Sequence, residues 1–211
     1  MAQSKLISLQ QRQSYVRLFV SLFLIVFAGK FVIQHALPYF GFTRETFGRY
    51  WNFKWSLIGH ISCGIIALVI GPFQFWKAFR NRYLTTHRWM GRIYLMAILI
   101  GASCSTYLAW TSGIRVNFSW ALGLQALAFA WITTAGMAYI SVMRGRIPQH
   151  KEWMIRSYVV TFAFVTFRFL NDSPFVISLM QKFDERGPTV IWFSWTIPLF
   201  ITEIALNWKK K

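Results

Sequence analysis

The 211-residue chain is 55% hydrophobic and carries 23 Lys and Arg against six Asp and Glu, for a formal charge of +17. That balance excludes an ordinary soluble domain, whose surface needs acidic residues and whose core does not need so many apolar runs. Nucleic acid is excluded as the reason for the charge, because Lys and Arg cluster at the ends of apolar segments, where they face lipid headgroups, and form no separate basic domain.

The chain opens with Lys5, Arg12 and Arg17, followed by an apolar stretch from about Val16 to Leu37 that Lys30 interrupts. No small-x-small cleavage site follows the run from Leu18 to Gly29, so an uncleaved first helix is expected rather than a signal peptide. The second stretch runs from about Trp55 to Trp76, the third from Trp89 to Trp110 and the fourth from Phe118 to Val142. The fifth covers Trp153 to Phe175 and the sixth Thr189 to Trp208. Each has the roughly 20 residues that a helix needs to cross the hydrocarbon layer. Trp and Tyr at many of the ends suit an interfacial belt. Pro148 and Pro188 stand before helix starts, Pro38 and Pro72 near helix ends, and Pro198 inside the sixth helix, where a kink is expected.

The expected fold is all-α: a polytopic membrane bundle of six helices, forming a single integral membrane domain over 1–211 with its core at about 55–176. The N-terminal region, the Lys77–Arg92 and Arg144–Arg156 connections and the Lys209–Lys211 tail hold fifteen of the Lys and Arg, and the alternate connections hold six. The positive-inside rule then puts both termini in the cytoplasm. Cys63 and Cys104 fall on consecutive antiparallel helices and read as small packing residues rather than a disulfide.

Four histidines sort by side. His35 and His60 fall near the outer face. His87 and His150 fall near the inner face, each preceding a helix that rises from the cytoplasm. Ionisable residues at membrane depth are costly, so each is a candidate functional position. In the second helix His60, Gly64, Ala67 and Gly71 share one face. In the third, His87, Gly91, Tyr94, Ile98, Gly101 and Ser105 form one stripe. A histidine at the head of a smooth groove suits a flat macrocycle, and histidines facing across helices hold haem iron. Small residues at this spacing also simply let helices approach.

His60, His87 and His150 are therefore the expected iron ligands, with His35 in reserve. Arg88, Arg92, Arg156 and Arg168 are the expected holders of anionic groups such as propionates. Arg168 and Asp172 are spaced to pair on one helix face. Glu203 and Lys30 are weaker candidates, and snorkelling explains Lys30. There is no phosphate loop, no His-Glu-x-x-His, no nucleophile elbow and no filter-like ring of charges.

The strings His60-x3-Gly64-x2-Ala67-x3-Gly71-Pro72-x-Gln74-Phe75, His87-Arg88-x2-Gly91-Arg92-x-Tyr94 and His150-x2-Trp153-Met154-x-Arg156-Ser157-Tyr158 resemble a family of predicted bacterial multi-pass membrane proteins, catalogued as a domain of unknown function. The resemblance spans about Leu57 to Arg168 and implies a bacterial inner-membrane protein. The layout also distantly resembles membrane b-type cytochromes, although the fourth helix offers no histidine. The expected function is b-type haem binding in transmembrane electron transfer, with a quinone or a redox protein as partner. The alternatives are a non-enzymatic accessory or assembly subunit and a small-solute transporter.

Overall fold

A computed structural model describes residue 22 and residues 25–208. Secondary structure among them is helical throughout. Residues 25–31 are helix and run into a π turn at Val32–Ala36 and a 3-10 turn at Leu37–Gly41. The first third of the expected first crossing, Val16–Leu37, lies mostly outside the described residues, and residues 25–37 of it are helical. A single turn at Arg44–Phe47, capped by the Thr43 side chain, and a 3-10 segment at Gly48–Phe53 complete a compact cap. Phe47 is 1% exposed and anchors this cap, with its ring edge-on to Tyr39 and Trp51.

The rest comprises α1 (Lys54–Phe75), α2 (Lys77–Arg82), α3 (Leu84–Leu108), α4 (Phe118–Met143), α5 (Ile147–Thr161), α6 (Ala163–Asn171), α7 (Pro174–Leu179) and α8 (Phe183–Asn207). Five stretches among the described residues are long and apolar enough to cross a bilayer: Arg44–Phe75, Leu84–Gly113, Phe118–Met143, Ile147–Asn171 and Phe183–Asn207. The protein is a multi-pass membrane protein. Its outward Phe129, Phe200 and Met96 are exposed side chains for lipid rather than water.

Helices α1, α3, α4 and α5 form a four-helix bundle in which α1 also touches α5, and α8 packs outside on α4 and α6. Close approach of α1 and α3 rests on facing glycines. A Cβ on Gly101 would lie 3.0 Å from the Cys63 Cβ, and one on Gly59 would lie 3.2 Å from the Cys104 Sγ. Both cysteines are free thiols in this seam.

Several expected boundaries change. Helix α3 starts at Leu84 and α5 at Ile147, so His87 and His150 lie inside first turns rather than before them. Pro148 at the start of α5 is favourable, since its missing N–H is one that a helix start leaves unpaired anyway. The fifth stretch is interrupted at Phe162 and ends at Asn171, not Phe175. The sixth begins at Phe183, so Pro188 lies inside α8. Proline at 188 leaves the Asp184 carbonyl without its usual helical donor, and Asn117 Nδ2 donates to that carbonyl at 2.7 Å. Asn117 Oδ1 also accepts from the Trp120 amide, so one side chain ties the starts of α4 and α8 together.

Candidate functional site

A cavity of about 360 Å³ lies inside the bundle, under the cap and at the end remote from the basic connections. Its size is that of pockets that bury a cofactor-sized ligand. Leu124, Leu127, Trp131 and Phe164 supply apolar wall, and His35, Tyr39, Arg49, Tyr50 and Arg168 supply polar lining. Burial pushes the Tyr39 phenol above its ordinary pKa, which keeps it protonated.

His60 enters the cavity from α1, its ring edge-on to Trp131 at 6.3 Å and Phe164 at 5.9 Å. Its Nδ1 lies 2.9 Å from the Gly101 carbonyl oxygen. A carbonyl only accepts, so the proton sits on Nδ1 and Nε2 keeps its lone pair. Gly64, one turn along α1, also lines the cavity, and a Cβ there would meet nothing within 4 Å. Trp120 lines it too, with its buried indole N–H lacking any partner.

Arg168 lines the cavity but does not pair with Asp172 as its spacing suggested. The helix ends at Asn171, so Asp172 is no longer held on the same face. The Asp172 carboxylate instead accepts from Asn171 Nδ2 and lies 3.7 Å from His35 Nε2. Among the described residues, neither Arg168 nor Arg49 has a carboxylate within ion-pair distance. Arg49 lies over the Tyr50 and Phe183 rings at 5.2 and 5.6 Å. The sequence reading missed Arg49 because it counted only as a loop charge with no periodicity to place it.

The other expected anion holders do not line this cavity. Arg156 is engaged by carboxylates: its Nε and Nη2 both donate to Glu203, the second at 2.9 Å, and Glu152 is 3.7 Å away. Arg92 stacks over the Trp89 ring at 4.8 Å, and Arg88 is exposed at the start of α3.

Two of the sequence motifs interlock between the ends of the bundle. The Tyr158 ring lies against Gly71, where a Cβ would come within 2.0 Å of it. Pro72 removes the amide that would bond the Leu68 carbonyl, and the Tyr158 hydroxyl donates to that carbonyl at 3.0 Å. Nearby, Thr161 Oγ1 donates to the Ser157 carbonyl, so it must accept from Trp131 Nε1 at 2.8 Å and from the Tyr94 hydroxyl at 3.1 Å. Tyr94 in turn accepts from Ser157 Oγ at 3.0 Å. Tyr94 and Ser157 are wholly buried. Tyr94→Phe should therefore strand the Ser157 hydroxyl and destabilise the bundle by about 1–3 kcal/mol, read as a lower Tm in detergent.

At the basic end, His150 Nδ1 donates to the Ala138 carbonyl at 2.9 Å. His87 Nδ1 is buried with no partner. Gln74, near the end of α1, is 7% exposed, and its Nε2 has no partner either. Its Oε1 lies 3.5 Å from where a Cβ of Gly91 would sit. The structure thus places His35 and His60 on one cavity and His87 and His150 at the opposite end. Among the described residues no three His, Cys, Asp or Glu gather closely enough to hold a metal ion together.

A family model described as a predicted membrane protein, DUF2306, matches residues 57–206. No curated protein and no solved structure matches the chain.

Proposed function

The chain belongs to that family of predicted membrane proteins, and from its cavity we propose a b-type haem-binding protein that carries electrons in the membrane. The observation that carries the reading is His60: a part-buried imidazole on a cofactor-sized cavity, with Nδ1–H fixed by a carbonyl and Nε2 left for a metal. His35 lines the same cavity and would be the second protein ligand to the iron. Arg49 and Arg168 would hold the two propionates, and the free Trp120 indole N–H offers a further donor. Gly64 leaves open space one turn from His60 that a side chain would fill. Haem, when bound, supplies one-electron chemistry; the chain supplies ligation, charge and an apolar enclosure. The proposal sets the protein in a bacterial inner membrane, with the basic connections and both termini inside.

The test is optical. Protein purified from haem-replete cells should show a Soret band that shifts on dithionite reduction. His60→Ala should remove it. Gly64→Leu should remove it while leaving the helical circular-dichroism signal and Tm near those of the parent, because the added side chain enters open space. A well-folded, colourless preparation overturns the reading.

A further inference from the structure

We infer that Gln74, His87 and His150 form a second site at the basic end of the bundle, and that it takes the carbonyl head group of a membrane quinone. This deepens the electron-transfer reading by naming its redox partner, and rests on that reading for what the bound quinone would exchange. Binding itself stands on the geometry alone.

The three residues come one from each of the sequence motifs, and none lines the haem cavity. Gln74 is near the end of α1, and His87 and His150 are in the first turns of α3 and α5. Gln74 lies against α3 at Gly91, and His150 is near enough to His87 for the two imidazoles to interact electrostatically, so the three sit at one end of the bundle. The Gln74 amide lies in the α1–α3 seam against Gly91, one turn beyond His87 on the same face of α3. Here two buried nitrogens, Gln74 Nε2 and His87 Nδ1, lack partners on adjoining helices. An unpaired amide at membrane depth is unfavourable unless something accepts from it. His150 has spent Nδ1–H on Ala138, so its Nε2 is an acceptor.

The ligand must therefore accept from a neutral amide and be able to donate to an imidazole. It must also be reachable from the bilayer. A metal ion fits poorly: among the described residues no third His, Cys, Asp or Glu joins the two imidazoles. A free anion fits poorly as well, because the most deeply buried donor is uncharged. A quinone is neutral and planar, carries carbonyl oxygens on opposite sides of its ring, and presents hydroxyls in its reduced form. Its isoprenoid tail stays in lipid. Gln74 lies about 21 Å along α1 from His60 at 1.5 Å per residue, so the two sites occupy different leaflets.

The experiment titrates the purified full chain with decylubiquinone and follows quenching of intrinsic tryptophan fluorescence. Saturable quenching is expected. Gln74→Leu should raise the Kd about tenfold, the loss of one hydrogen bond worth about 1.4 kcal/mol. His87→Leu should raise it similarly. Gln74→Leu removes an unsatisfied amide, so its Tm should hold or rise, and a loss of affinity cannot be ascribed to unfolding. Absence of saturable quenching, or unchanged Kd in both variants, overturns the proposal. So does a Soret band that falls with His87→Leu, which would put haem at this end. A colourless protein that binds decylubiquinone through Gln74 supports this site and refutes the haem reading. A Soret band without quinone binding does the reverse.

Discussion

Gly71→Val should leave the protein unable to form its bundle. A Cβ at this position falls 2.0 Å from Tyr158 Cε2 and 2.3 Å from Cδ2, well inside contact distance. The tyrosine cannot swing away freely, because its hydroxyl donates to the Leu68 carbonyl and its ring packs on Phe75 and Phe162. Overpacking usually destabilises by about 1–3 kcal/mol. Here the clash also removes a buried hydrogen bond, so about 3 kcal/mol or more is expected. The readout is loss of monodisperse protein in detergent, or a Tm too low to measure. Tyr158→Phe isolates the hydrogen bond: it should cost about 1–2 kcal/mol by leaving the Leu68 carbonyl unpaired. Adding Pro72→Ala should recover much of that loss, because residue 72 then regains the amide that bonds Leu68. Failure of the double variant to recover would show that Pro72 and Tyr158 are not coupled through that carbonyl.

Glu203→Leu should also destabilise strongly, by about 2–3 kcal/mol. Arg156 is 9% exposed, and Glu203 takes two of its donors. Removing one partner of a buried pair leaves an uncompensated charge, which typically costs about 3–5 kcal/mol. Two features lower that figure here. Glu203 is itself 39% exposed, and Glu152 remains 3.7 Å from the guanidinium. Replacing both Arg156 and Glu203 with leucine should destabilise less than either single change, since no charge is then stranded. Thermal unfolding of the three variants checks this. Tm values equal to the parent's in all three would show that the pair contributes nothing. The same result bears on function, because an Arg156 committed to α8 is not available for a propionate.

The helices were legible in the sequence because lipid imposes a simple rule: a run of apolar residues long enough to span must be helical, with its backbone groups paired within the run. Four stretches, from Trp55, Trp89, Phe118 and Trp153, reappear as helices within a few residues at their starts or extended into the basic loops. The start of α8 was misplaced because Pro188 reads as punctuation, and the donor that makes it tolerable, Asn117, is 67 residues away. The Arg168–Asp172 pair failed for a related reason: helical spacing predicts a pair only while the helix continues, and α6 stops at Asn171.

The candidate site was half legible. His60 and Gly64 announced themselves by spacing on one helix, and both line the cavity. Gly71 belongs to the same stripe yet serves packing, because Tyr158 fills the space beside it. Arg49, Trp120 and the free amide of Gln74 carried no periodic signal.

By itself, then, the sequence determined that this is a helical membrane protein, which family it joins and which end of the bundle each of its four histidines lies near. These follow from hydropathy, charge and short spacing, all local along the chain. Only the tertiary structure decided which small residues border a void and which are filled, and which arginines are free and which are bound. Those outcomes depend on side chains meeting across helices, and a one-dimensional pattern does not encode who stands opposite.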